Sequence, residues 1–383
     1  MTRVVLLMLF PLAAAAQENA TNAITNQMGS PFALHQGAFP ASSNGGSSLE
    51  PSIGALPASQ AAPKVPPPQK PKPAQPKKPP EPKPTIPSSM VGYIDNAVIG
   101  SQIRFRFDAA FHSDAPDRAE FFYAQCSCIL HGPGPNPVVQ DLNFQQLYMQ
   151  AEYAPTKRFS FFVEVPVRWI QPQIQIPGPG TSRLPNEAGL SDVEAGLKLA
   201  ALASSNQYLT SQLRAYFPSG SAATGLGTNH YSVEPALLYY QKLSDRLALE
   251  AQVGDRHPIG GSSCPQPCNS SVTTPPSQNF AGDVFFYGVG PSYILYRDEN
   301  IRFAPAVELV GWRVMGGFET TQPNAMVDFQ QAESADGTNI VNLKIGARTS
   351  IGRRNSFYVG FGQAVTHSVW YEHIVRAEYR YSF

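Results

Sequence analysis

The run "SQIRFRFDAAF" (Ser101–Phe111) constrains the fold most, because its two faces differ completely. Ile103, Phe105, Phe107, Ala109 and Phe111 share one side of an extended chain, and Gln102, Arg104, Arg106 and Asp108 share the other. Runs of about ten residues with this period recur to the end of the chain, the length a tilted strand needs to cross a bilayer. They fall near 101–111, 144–154, 159–169, 191–200, 208–217, 232–241, 247–254, 284–296, 301–312, 339–351, 356–365 and 371–383. Short polar connectors ("PTKR", "LASSNQ", "KLSDR", "RDEN", "GRRN") alternate with long ones, and only the last long-side connector, near "THSVW", is short. That asymmetry and the even strand count predict an all-β fold, a transmembrane antiparallel barrel of about 12 strands spanning residues 94–383, with both barrel ends on the short-turn side.

The polar face carries charge deep inside the strands. Arg104, Arg106 and Asp108 come from the first strand, Glu152 from the second, and Glu164 and Arg168 from the third. Asp192, Glu194, Lys198, Arg214, Glu234 and Glu250 continue the series, followed by Arg302, Glu308, Lys344 and Arg348. The last strand adds Glu372, Arg376, Glu378 and Arg380. In a closed barrel these line a lumen, and the near balance of signs predicts cross-strand salt bridges and weak selection for ion sign. The apolar face, with Phe159, Phe161, Val163, Val165, Val167 and Trp169 on one strand, faces lipid. Pro166, Pro235, Pro291 and Pro305 each remove a ladder donor, which predicts bulges or strand ends at those points.

Ahead of the barrel the composition changes. Residues 1–16 read as an export signal: Arg3, the apolar core "VVLLMLFPLA", then Ala14-Ala15-Ala16. Residues 17–60 are rich in Ala, Ser, Asn and Gly without periodicity and read as disordered. Residues 61–93 read as a Pro/Lys-rich linker, with 12 prolines and six lysines against the single Glu81 in its first 27 positions. Its fixed φ angles and charge repulsion favour an extended polyproline II arm, read as periplasmic and suited to touching peptidoglycan.

The cysteines, Cys126 and Cys128 ("CSC") and Cys264 and Cys268 ("CPQPC"), fall in long connectors of an exported chain, where loop disulfides are expected. No ligand cluster, phosphate-binding loop or cofactor motif is present, so neither metal nor cofactor is expected, and a formal net charge of zero argues against a nucleic-acid partner. "NHYSVE" places His230 two residues before Ser232, as in outer-membrane lipid hydrolases, but the register turns both inward and Val233-Glu234 stands where those enzymes have Asn-Gly. A non-enzymatic role is the expectation.

"GLSDVEAGLKLA" (Gly189–Ala200) and "LRAYFPSGSAATGLGTN" (Leu213–Asn229) resemble the outer-membrane channels of the MetA pathway of phenol degradation. The matching residues are Gly189, Asp192, Gly196 and Lys198, then Pro218, Gly220, Gly225 and Gly227. The resemblance implies an outer-membrane barrel passing small aromatic or apolar solutes.

The chain ends "VRAEYRYSF", placing Tyr379, Tyr381 and Phe383 on the lipid face of the strand that must pair with the first. It looks like the C-terminal signal that the outer-membrane assembly machinery reads. The resulting expectation is a passive channel or uptake pore in the outer membrane of a Gram-negative-type bacterium. A structural anchor whose basic arm holds the cell wall is the alternative.

Overall fold

The computed structural model describes residues 88–114, 122, 138–176, 182–261, 263–264, 278–321, 331–367 and 370–383, all within the unit Lys78–Phe383. The export-signal reading, the 17–60 segment and the arm up to residue 87 lie outside the described residues, as do Cys126, Cys128 and Cys268. Cys264 lies on a two-residue strand, Ser263–Cys264, paired with Gln278–Asn279.

Twelve long antiparallel strands form the wall. The first six are β1 (Gln102–Asp114), β2 (Val138–Thr156), β3 (Phe159–Ile176), β4 (Val193–Ala203), β5 (Gln207–Phe217) and β6 (Tyr231–Lys242). The others are β7 (Leu247–Ile259), β8 (Asp283–Tyr293), β9 (Ile301–Met315), β10 (Asn339–Ile351), β11 (Asn355–Ala364) and β12 (His373–Ser382). Each pairs with its sequence neighbours, and β1 pairs with β12 from Gln102↔Ser382 to Phe111↔His373. The sheet therefore closes without an edge, so every strand has hydrogen-bonding partners on both sides. At the seam the Phe383 N–H donates to the Ser101 carbonyl at 3.1 Å and Phe383 itself is exposed; on the other side of β12, Tyr379 donates to Asn355 of β11 at 2.8 Å.

Eleven of the twelve strands expose a large hydrophobic residue outward, among them Phe105, Phe161, Leu197, Val307 and Ile345. A continuous apolar girdle of this kind would aggregate in water, and in a closed barrel it is the surface that meets lipid. No helix among the described residues is long and apolar enough to cross a membrane; the crossing elements are strands.

The four strand prolines are accommodated more simply than expected. Pro235 and Pro291 keep register, and one ladder skips past them, between Val233↔His257 and Ala236↔Gly254 and between Val289↔Leu309 and Ser292↔Ala306. Pro305 pairs with Ala347 in an unbroken ladder. A proline lacks only one donor, directed to one neighbour, so the opposite ladder is untouched. Pro166 alone coincides with a shift: β3 pairs with β4 up to Glu164↔Glu194, then with the short strand Glu187–Leu190 from Val167↔Leu190, bridged by Ser191 N–H to the Pro166 carbonyl at 2.9 Å. β2 and β3 also run further outward than their alternation predicts, to Val138 and Ile176.

Candidate functional site: a hairpin inside the lumen

The lumen is filled by residues the sequence reading assigned to the linker and to the barrel's first positions. Ser88–Gly100 enters from the short-turn side, climbs to mid-barrel, turns at Gly92–Ile94 and descends to join β1 at Ser101. Its residues from Ser89 to Ile99 are buried or half-buried.

On the ascending limb the Arg302 guanidinium donates to the Ser88 hydroxyl beside the turn between β8 and β9. Met90 N–H donates to Glu250 at 3.0 Å, and the Val91 and Gly92 carbonyls accept from Arg348 at 2.8 Å and Arg376 at 2.6 Å. At the turn, the Glu308 carboxylate collects three successive backbone donors: Gly92 at 2.8 Å on Oε1, then Tyr93 at 2.8 Å and Ile94 at 2.9 Å on Oε2. Three amides converging on one buried anion form the arrangement that holds anions in backbone nests. The Tyr93 ring lies between Lys344 at 4.0 Å and Arg376 at 4.1 Å, a double cation–π contact.

On the descending limb Asp95 pairs with Arg214 at 2.7 Å and accepts from Gln212 at 3.0 Å. Lys198 donates to the Asn96 carbonyl at 3.1 Å and Thr210 to the Ala97 carbonyl at 2.6 Å. Apolar packing seals both limbs. Val91 and Ile94 meet Ala306 and Val310, and Ala97, Val98 and Ile99 meet Ala200, Tyr208, Leu238 and Tyr240. Gly92 is required at the turn, since a Cβ there would sit 2.1 Å from the Tyr358 ring, whose hydroxyl donates to Glu308 at 3.2 Å.

The lumen salt bridges are present, but not always between facing residues. Asp108 and its register partner Arg376 pair through two contacts of 2.7 Å. Glu308 and Lys344 also face each other across β9 and β10, yet Glu308 turns to the hairpin while Lys344 donates to Tyr371 at 2.6 Å. Glu164 takes Arg104 at 2.9 Å and Arg106 at 3.1 Å, and Glu378 takes Arg348 at 2.7 Å and Arg380 at 3.0 Å. Arg214 reaches Glu194 at 3.2 Å and Glu234 at 3.6 Å, and Lys198 reaches Glu152 at 3.4 Å. Arg168 bonds Gln146 at 3.0 Å and stacks over Phe122 at 4.7 Å.

Two expected lumen residues do other work. Glu372 precedes β12, is exposed, and lies 3.3 Å from His373. Asp192 is buried, but it organises the loop after β5, accepting from Gly220 N–H at 3.0 Å and from the Thr228 N–H and hydroxyl at 2.8 and 2.7 Å. The "PSGSAATGLGTN" spacing has a physical reason here. Gly225 has φ of 76°, and a Cβ on Gly227 would lie 2.4 Å from the Gly220 carbonyl oxygen and 2.5 Å from Asp192 Oδ1.

His230 and Ser232 are both buried in the barrel interior, away from lipid. His230 Nδ1 contacts the Thr228 carbonyl at 2.8 Å, and burial, with Arg256 nearby, pushes the imidazole down to about 4. Among the described residues the group able to hold a metal ion is Asp255, His257 and Asp283, at the outer ends of β7 and β8.

The hairpin lines two separate concavities. On the long-loop side lies a chamber of about 290 Å³ with Tyr93 and Asp95 among its lining residues. Phe286 and Trp312 on β8 and β9, with Trp370 and Tyr371 before β12, group aromatic rings on one flank, and Phe144 and Tyr148 on β2 and Tyr216 on β5 add rings among the charged residues. Five arginines and five carboxylates line the chamber as a whole: Arg106, Arg168, Arg214, Arg256 and Arg376 against Asp95, Asp108, Asp192, Glu194 and Glu234. On the short-turn side lies a basin of about 240 Å³ where Ser88 and Met90 enter.

Sequence reasoning missed the hairpin because "SMVGYIDNAVIG" has neither strand alternation nor helical period. The available signal was compositional: Met90, Val91, Ile94, Ala97, Val98 and Ile99 form an apolar cluster between a proline-rich arm and the first strand.

The sequence matches no protein-family profile, and no curated protein is similar to it. Among solved structures, the COG4313 outer membrane channel from Pseudomonas putida F1 aligns with a TM-score of 0.46 at 15% identity, over 74% of this chain and 96% of that one. The β domain of the Bordetella autotransporter Brka aligns at 0.44 and 13% identity, over 74% and 100%. The NanC porin aligns at 0.38 and 7% identity, over 74% and 98%.

Proposed function

We propose that the chain is an outer-membrane channel for small solutes, shut by its own hairpin and opened by withdrawal of that hairpin toward the periplasm. The observation that carries this is that Ser88–Gly100, a segment covalently attached to the wall only at Ser101, lies in the lumen and lines both an outer chamber and an inner basin. Both limbs leave through the same mouth, so the hairpin can retract without threading. A chamber lined by aromatic rings and by balanced charge suits small aromatic or amphipathic solutes of either sign better than a sign-selective ion flow. The short turns are read as periplasmic, which puts Ser88, where the described chain begins, on the cell-wall side.

Removal of residues 89–99 tests the proposal. The truncated barrel should give steady single-channel currents in planar bilayers and admit small aromatics into liposomes, while the full chain opens only in brief bursts and still admits solute, more slowly. The saturated hydrogen bonding of the hairpin also favours a second reading, a permanently closed anchor. Full-chain proteoliposomes that admit no solute, with a truncated barrel that conducts, would support the anchor. A truncated, correctly folded barrel that passes neither ions nor solute would end the channel reading.

A further inference from the structure

Charge is matched five to five around the outer chamber but not in the inner basin, where Lys242, Arg246, Arg297 and Arg302 face the single carboxylate of Asp245. Asp245 pairs with Lys242 at 2.7 Å and also attracts Arg297, so a single carboxylate offsets one ammonium and three guanidiniums around the concavity. Asp298, on the adjoining turn, is spent locally, accepting from Asn300 at 2.7 Å, Ile301 at 2.6 Å and the Tyr296 hydroxyl at 2.8 Å. Glu299 on that turn is outside the lining. Arg302 alone of the three is tied to the hairpin, through Ser88. Ser292 and Tyr240 add hydroxyls to the same wall.

We infer that this basin is a binding site for a compact, multiply charged anion of the phosphate type, held by Arg246, Arg297 and Arg302 at the mouth where the hairpin enters. Guanidiniums present forked donors that match phosphate oxygens, and a concave, partly enclosed setting strengthens such contacts relative to open water. A cluster of unneutralised cations in a concavity otherwise carries a standing repulsion that an anion relieves. Arg302 links the site to the hairpin, because an anion that draws its guanidinium into the basin removes the Ser88 contact. Binding therefore loosens the ascending limb. That coupling rests on the proposed channel reading; the binding itself does not.

Isothermal titration of the folded full-length chain with inorganic pyrophosphate tests the site. Saturable binding is expected, weakening at least tenfold in Arg246→Gln/Arg297→Gln, whose exposed positions leave the barrel intact, as heat-modifiable gel migration will verify. Nanodiscs separate the sources of the anion. Competition by anionic lipid identifies a headgroup as occupant, and indifference to lipid charge identifies a soluble anion. Absence of binding, or equal binding by the double variant, overturns the assignment. Pyrophosphate on the short-turn side should also raise the open probability of the wild type but not of the double variant. If binding holds and currents do not change, the channel coupling fails while the site stands.

Discussion

Replacement of Glu308 by glutamine tests the hairpin latch most directly. The side chain is fully buried at the midpoint of β9, and its two oxygens accept three backbone N–H groups and one hydroxyl. The amide has only one oxygen. Placed at Oε2 it keeps Tyr93 and Ile94, while its NH₂ group meets the Gly92 N–H, donor against donor; the Tyr358 hydroxyl can reverse and accept. One orphaned buried N–H costs about 1–3 kcal/mol, and loss of charge weakens the two surviving bonds by roughly 1 kcal/mol together. The latch should therefore weaken by about 3 kcal/mol, which raises the open-to-closed ratio by roughly 100-fold. Single-channel recording should show this as frequent openings of the same amplitude as those of the barrel lacking residues 89–99, and the Gly92–Ile94 amides should lose hydrogen-exchange protection by a similar factor. If the truncated barrel conducts but Glu308→Gln remains as closed and as protected as the wild type, the carboxylate is not the latch.

Gly92→Ala should have a comparable effect by steric means, because the added Cβ would lie 2.1 Å from the Tyr358 ring with Glu308 directly behind it. Tyr358→Ala in the same chain should restore closure measured by the same currents. For His230, whose folded pKa near 4 lies below its ordinary 6.5, the neutral form is the one the fold accepts. The unfolded loop takes up the proton first, so the loop's stability is full above about pH 6.5 and falls as the pH drops toward 4, by about 2 kcal/mol at pH 5. An NMR titration of the His230 ring should show a midpoint near 4, and one near 6.5 would refute its burial.

Much of the barrel was legible because lipid and lumen impose opposite demands on alternate residues. Arg104, Asp108, Glu164, Lys198, Arg348, Arg376 and Glu378 all lie where the alternation put them, and β1 meets β12 as closure requires. Partners were less legible than faces. Register opposes Glu308 to Lys344, but a third element with three free N–H groups outcompetes a single ammonium, and no strand pattern reveals that element. Asp192 illustrates a second limit: it occupies an inward position, yet the loop's own backbone donors reach it first. Glu372 marks a third, since alternation extrapolated even one residue ahead of β12 ceases to describe which side a residue faces.

The attachment of the hairpin at Ser101 gives it the character of a ligand carried by its own receptor. Its docking is unimolecular, so closure depends on intrinsic affinity multiplied by the effective concentration the tether imposes, commonly in the millimolar range for short flexible connections. A latch of only moderate intrinsic affinity can then hold the barrel shut, with no soluble competitor at ordinary concentration able to displace it. Opening falls instead to agents that loosen the contacts holding the tethered segment to the wall.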